Sequence, residues 1–194
     1  WAVGSRSMTE PAATGQLLDR SKELARIESA LAEARSGRGR LVVVEGPAGI
    51  GKTALLAAAR TAAADGGMRV RQLFEPALAE ASQHERADLL QGAAGVAAGL
   101  LGLPGVPVTE GPPASGVDPS FAILHGLYWL CANVTTVCPL CLVVDDAHWA
   151  DAASLRYLAF LLTRLEELDA ALVVATRPRE PGTDAELLAT VTSD

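Results

Sequence analysis

A chain of 194 residues with 49% hydrophobic and 20% charged side chains is long and apolar enough for one packed core and too apolar to stay disordered. Its formal net charge of -7 argues against this chain gripping nucleic acid by itself, because neutralising phosphates needs a basic face. The first ten residues are mixed and polar rather than a secretory leader, and no apolar run approaches the roughly 18 residues of a spanning helix, so the expected compartment is the cytoplasm.

In chain order, residues 1–15 read as an unstructured segment with Met8 a candidate start, and residues 16–194 as one domain. Leu24, Ile27 and Leu31 keep helical spacing, and the stretch RSGRGR from Arg35 to Arg40 ends that helix in a solvated loop. Leu41 to Val44 is a short apolar run of the kind that forms a strand buried on both faces. It leads into Gly46, Pro47, Ala48, Gly49, Ile50, Gly51, Lys52 and Thr53, which match G-x-x-x-x-G-K-T at every fixed position. Phosphate binding needs those residue types. Glycines allow backbone angles that a Cβ forbids and let phosphate oxygens approach the amides. The following helix offers unpaired N–H groups and a dipole that favour an anion. Lys52 brings a mobile cation for the outer phosphates, and Thr53 a hydroxyl for a magnesium ion. The alanine-rich helix after Thr53 runs to about Ala64, where Asp65, Gly66 and Gly67 stop it.

Met68 to Val70 begins a second strand that is three residues long before helical spacing resumes from Leu73 to Leu90. No Gly, Pro, Asn or Asp marks a turn between Arg69 and Glu75, so the Val70–Arg71 junction reads as a shortened strand or a lost turn segment. A Gly/Ala run from Gly92 to Gly102 precedes Leu103 to Ser120, whose proline and glycine content predicts a mobile surface loop. Phe121 to Cys131 returns to helix, with Phe121, Tyr128 and Trp129 read as core contacts. Leu140 to Val144 is another wholly apolar strand, ending in Asp145 and Asp146. Acidic residues commonly finish strands as turn formers, but beside a phosphate loop a parallel strand delivers them to the same sheet edge. On that reading Asp145 holds magnesium, directly or through water, and Asp146 orients the attacking water or takes its proton. His148 and Trp149 read as a helix-start histidine and a packed tryptophan, with a phosphate-facing role open to either. Asp151 predicts the N-cap of a helix with Leu155, Leu158, Leu162 and Leu165 on one face. A last strand, Ala171 to Ala175, ends in Thr176 and Arg177, whose guanidinium either reports on a γ-phosphate or faces solvent.

Three cysteines, Cys131, Cys138 and Cys141, are an odd count with no secretory context, which argues for buried free thiols rather than a disulfide framework. Cys138 and Cys141 spell C-x-x-C but lack the second pair a zinc site needs, and His84, His125 and His148 are too scattered to complete one.

The stretches VVVEGPAGIGKTALL, RQLFEPAL, FAILHGLYWL, LVVDDAHWADAASLRYLAFL and VVATRPREPGTDAELLA together resemble the ATPase module of the large ATP-binding LuxR-type regulators of actinobacteria. Those are MalT-like members of the STAND class of AAA+-related P-loop NTPases, and the resemblance covers Leu17 to Leu188. It implies an α/β P-loop NTPase fold, a three-layer sandwich with a mostly parallel sheet that is incomplete at the C-terminus. It also implies a switch at the N-terminal end of a longer transcription activator. In the family, ATP binding with Mg2+ favours multimers, hydrolysis to ADP resets the protein, and DNA is held through a C-terminal helix-turn-helix; no membrane is involved. Matched motif by motif, Gly46 to Thr53 are Walker A, Asp145 and Asp146 Walker B, and Thr176 with Arg177 the sensor. The resemblance thus makes Lys52, Asp146 and Arg177 catalytic candidates and Thr53 and Asp145 metal ligands. The stretch LLDRSKEL resembles the adenine-side segment, which makes Leu18 and Arg20 adenine-pocket candidates, with Asp19 standing where the family commonly has glycine.

Two departures stand out. Family members carry further residues where Val70 here meets Arg71, and this chain stops at Asp194, before the family's fifth strand, lid and DNA-binding region. Without the fifth strand, Leu41 to Val44 is expected at a sheet edge, and turnover is expected to be weak or absent. Two rivals use the same loop. A small-molecule P-loop kinase should carry a basic lid, and none is visible; a nonhydrolysing interaction module has no need of Lys52, Thr53, Asp145 and Asp146. No guanine-reading N-K-x-D motif is present, so the expected base is adenine.

Overall fold

The computed structural model describes residues 20–71, 82–100, 118–178 and 184–193. Strands β1 (Arg40–Glu45), β2 (Arg69–Arg71), β3 (Leu140–Val144) and β4 (Ala170–Thr176) form one all-parallel sheet in the order β1-β4-β3-β2. Seven α-helices accompany them among the described residues: α1 (Ser21–Arg35), α2 (Lys52–Asp65), α3 (Gln83–Leu89), α4 (Ala93–Leu100), α5 (Pro119–Val137), α6 (Ala152–Leu162) and α7 (Ala185–Thr192).

The central strands are apolar throughout because both their faces are covered. Successive side chains on a strand point to opposite faces. Cys141, Val143, Ala171, Val173 and Ala175 therefore meet Ile27 and Leu31 of α1 and Leu55, Leu56 and Ala59 of α2. Their neighbours Leu140, Leu142, Ala170, Leu172 and Val174 face Leu130 and Val134 of α5, Leu155 and Leu158 of α6, and Val191 of α7. Each fully buried Leu or Val contributes roughly 1.5–3 kcal/mol, so this alternation fixes the strand registers as well as the layers. The result is the three-layer P-loop NTPase sandwich expected from the motifs. β4 pairs on both sides, whereas β1 pairs with β4 alone, from Arg40 opposite Ala171 to Glu45 opposite Thr176. β1 thus lies at a sheet edge among the described residues, and Leu41, Val42 and Val43 are half-buried rather than enclosed. Since every strand runs the same way, the ends of β1, β3 and β4 reach one edge of the sheet together.

Several elements differ from the sequence reading. The Gly/Ala run holds a helix, α4, which carries no strong propensity but packs closely on α5: a Cβ at Gly126 would lie 2.2 Å from Ala97 Cβ and 2.5 Å from the Ala93 carbonyl oxygen. α5 begins earlier and ends later than expected. Asp118 accepts a hydrogen bond from the Ser120 amide at 2.9 Å, and Pro119 takes the first helical position, where its missing N–H is no loss. Of its aromatics, Tyr128 packs against the core as expected, but Phe121 is 51% and Trp129 43% exposed, and both ring-contact His125 on the helix's outer face. Among the described helices α5 alone is long and apolar enough to cross a membrane by length and composition; here Leu130, Cys131 and Val134 are buried in the layer against the sheet. Asp151 caps α6 as expected, accepting from the Ser154 amide at 2.8 Å, which holds its carboxyl below the ordinary range. That helix ends at Leu162, so Leu165 is buried from a separate 3-10 turn, Leu165–Glu167. Cys131 and Cys141 are buried as expected, but Cys138 is half-buried, its thiol donating to the Gly67 carbonyl at 3.0 Å. Strand β2 is three residues long, one residue later than read. The expected disorder of residues 1–15, the adenine-side Leu18, the link after Arg71 and the loop over 103–117 lie outside the described residues.

Candidate nucleotide-binding site

The loop after β1 is tied to the sheet by the Gly46 amide, which donates to the Thr176 carbonyl at the end of β4, 3.3 Å away. Beyond it, Gly49 and Gly51 have φ of 76° and 93°, left-handed values that a side chain would strain. Gly51 is the N-cap of α2, which therefore starts with no capping side chain and no acidic residue in its first turn. Fourteen residues of aligned peptide dipoles end there in open amides, an arrangement that attracts an anion.

Lys52 is buried, at 7% exposure. Its Nζ donates to the carbonyl oxygens of Gly46 at 2.7 Å and Pro47 at 3.0 Å. Those dipoles accept two of the ammonium's three hydrogens without cancelling its charge, which lies inside the loop's curl. On the next turn face, Thr53 Oγ1 donates to Asp145 Oδ2 at 3.3 Å, joining α2 to the end of β3 across 92 residues of chain. A hydroxyl and a carboxylate side by side suit magnesium, a hard ion that takes one or two protein oxygens and completes its shell with phosphate and water. The described residues hold no cluster of three His, Cys, Asp or Glu that would make an all-protein metal cage.

Asp145 Oδ1 accepts from the Asp146 amide at 2.9 Å. Asp146 takes φ 51° and ψ 47°, the one left-handed non-glycine among the described residues. That twist turns its carboxylate away from Asp145 and towards a cavity of about 240 Å3 lined by Ala48, Gly49, Gly51, Lys52, Thr53, Asp146 and Arg177. Arg177 comes from the end of β4, beside the buried Thr176. From the opposite side, Arg20 at the start of α1 donates from Nη2 to the Ile50 carbonyl at 2.5 Å. The structure therefore brings together Gly46 to Thr53, Asp145, Asp146 and Arg177, with Arg20 against the loop's outer carbonyl.

A larger cleft of about 350 Å3 lies elsewhere, lined by Arg69, Glu85, Asp88, Leu89, Gln91, Asn133, Thr136 and Val137. Two carboxylates against one guanidinium disfavour a polyanion there, whereas the smaller cavity sets two cations, Lys52 and Arg177, against the one carboxylate of Asp146, beside open amides. Trp149 is 74% exposed rather than packed as expected. His148 stands in the short 3-10 helix Ala147–Trp149, in keeping with its helix-start reading, and is buried at 3%, its Nδ1 3.8 Å from Asp146 Oδ1. Only its position two residues after the second aspartate hinted at that contact.

No curated protein matches this chain. A model of the AAA ATPase domain family matches residues 16–174, a span that takes in every cavity-lining residue except Arg177. With the glycine loop at the mouth of α2 and the paired aspartates at the end of β3 both within that span, the chain belongs to the AAA ATPase domain family and is a nucleotide-binding ATPase module.

Proposed function

We propose that the chain is the ATP-binding switch domain of a LuxR-type, MalT-like transcription regulator, slow in hydrolysis. The observation that carries nucleotide binding is the convergence of Lys52, Thr53, Asp146 and Arg177 on one cavity at the open N-terminus of α2. The regulator role is supported by the resemblance of the stretches around the two aspartates and the two strand ends. Self-association and DNA binding through a region beyond Asp194 follow from that role.

In this reading the amides of Gly46 to Thr53 cradle the phosphates, and Lys52 exchanges its two carbonyl partners for phosphate oxygens. Thr53 and Asp145 would hold magnesium, which when bound would neutralise phosphate charge. Asp146 orients a water and accepts its proton as the water oxygen bonds to the γ-phosphorus; the bond from that phosphorus to the bridging oxygen breaks, and its electron pair leaves with ADP. Arg177 faces the charge gathering on the transferred group. Arg20, whose guanidinium donates to the Ile50 carbonyl, is given to the adenine side by the family resemblance.

Titration calorimetry with ATP, ADP and GTP tests the reading. Lys52→Ala should weaken ATP binding at least about 10-fold, since a charge-assisted phosphate contact is lost, with the circular dichroism unchanged. Unaltered affinity would overturn the site, and GTP binding as tightly as ATP would overturn the adenine assignment. The reading frame beyond Asp194 tests the regulator: a helix-turn-helix is expected there, and phosphorylation of a small molecule by the chain would favour the kinase instead.

A further inference from the structure

His148 enters no step above, yet it is the one buried histidine among the described residues. It stands in the 3-10 turn Ala147–Trp149 directly behind the two aspartates, and that turn packs against β4. Its Nδ1 is 3.8 Å from Asp146 Oδ1, within ion-pair range though too long for a direct hydrogen bond. Asp146 is a group that needs holding. Its main chain is fixed from both sides: its amide donates to Asp145 Oδ1 at 2.9 Å, and its carbonyl accepts from the Trp149 amide at 2.8 Å. Its side chain is not so fixed, being 47% exposed at the cavity where the imidazole is 2% exposed. An exposed carboxylate samples several rotamers; a buried ring has already lost that freedom on folding and holds its neighbour at little further entropic cost.

We infer that His148 is the positioning residue for the Asp146 carboxylate, keeping it aimed into the cavity from beneath. The inference rests on the reading of Asp146 as the water-orienting group. A positioning role separates binding from turnover, because a misplaced Asp146 leaves the loop, Lys52 and Thr53 untouched while the water is held badly. Displacements of the order of 1 Å in such a group cost up to about 100-fold in rate.

The test uses three substitutions in the 194-residue chain. His148→Asn carries its amide nitrogen close to the place of Nδ1, His148→Gln carries it to the place of Nε2, and His148→Leu removes it. We expect the Leu and Gln variants to lose about 10- to 100-fold in kcat while the ATP dissociation constant moves less than about 2-fold, and the Asn variant to recover most of the loss. Should the Leu variant not fold, the Asn and Gln pair decides. Equal rates for those two, or an affinity loss as large as the rate loss, would overturn the proposal. A second readout does not need turnover. With three histidines in the chain, the ring nitrogen resonances separate by substitution, and Asp146→Asn should shift those of His148 and leave those of His84 and His125 in place. An unmoved His148 signal would overturn the contact. If the wild-type chain binds ATP but never hydrolyses it, the hydrolytic reading falls and the positioning role with it, while nucleotide binding stands.

Discussion

Asp145 and Asp146 are consecutive in sequence yet face different partners, because Asp145 directly follows β3 whereas Asp146 takes a left-handed conformation. Asp145 receives the Thr53 hydroxyl, whereas Asp146 lines the cavity. Asp145→Asn should therefore weaken the magnesium dependence of ATP binding about 10-fold. Asp146→Asn should keep the affinity within about 2-fold and lower turnover by 100-fold or more, the usual worth of a positioned base. Calorimetry with and without magnesium, beside a phosphate-release assay, separates the two; equal affinity losses would mean that the roles are not divided. The cysteines make a second residue-scale prediction. Burial pushes the Cys131 thiol up to about 12 and the Cys141 thiol up to about 11, so neither is a thiolate near neutral pH. Cys138 is half-buried at the end of α5. Iodoacetamide at about pH 8 should modify Cys138 first and reach Cys131 and Cys141 once the chain unfolds, which peptide mass mapping reads directly. Early labelling of Cys141 would contradict the packing of α2 on β3.

At the scale of elements, the packing of α4 on α5 depends on an absent side chain. Alanine is the better helix former by about 1 kcal/mol, so propensity predicts that Gly126→Ala stabilises the protein. The structure predicts the reverse. The added Cβ would fall 2.2 Å from Ala97 Cβ and 2.5 Å from a backbone oxygen of α4, and relieving it moves a whole helix. Overpacking of that kind costs about 1–3 kcal/mol. A lower urea midpoint for Gly126→Ala is expected, and an unchanged or higher one would show that α4 and α5 are farther apart. This contact also explains why α4 escaped the sequence reading: a run of glycine and alanine has no apolar stripe broad enough to mark a face, and its helicity is decided by the neighbour it touches.

At the scale of the whole molecule, one boundary of the all-parallel sheet among the described residues is the strand that carries the phosphate loop. β1 ends in a charge at either side, Arg40 paired to Glu33 at 2.6 Å and the exposed Glu45, but Leu41 to Val44 between them is apolar. Its outer N–H and C=O groups have no strand partner among the described residues. Such an edge recruits another chain unless it is guarded. We expect the chain to self-associate in the absence of nucleotide, and Val43→Lys, which adds a charge to the edge, to reduce the association. Sedimentation velocity over a range of concentrations checks it; a monomer at every concentration would mean that the edge is already protected. The net charge of -7 opposes self-association by repulsion, so the effect should grow with added salt.

The sequence by itself determined the phosphate loop, the two aspartates and the strands around them, because each is a local pattern in which residue type and spacing carry the physics. G-x-x-x-x-G-K-T has few uses other than wrapping an anion, and the runs Leu140 to Val144 and Ala171 to Ala175 are apolar enough to need cover on both faces. Tertiary structure decided what depends on a second segment. It showed that Phe121 and Trp129 face outwards and that Leu165 is buried from a separate 3-10 turn rather than from α6. In a helix of nearly unbroken apolar residues, such as α5, periodicity cannot say which face meets the sheet. It set Arg20 against Ile50, 30 residues away, and His148 beneath Asp146. No spacing rule announces a contact made by a left-handed residue and a short 3-10 turn, since its direction is fixed by how that turn packs on β4.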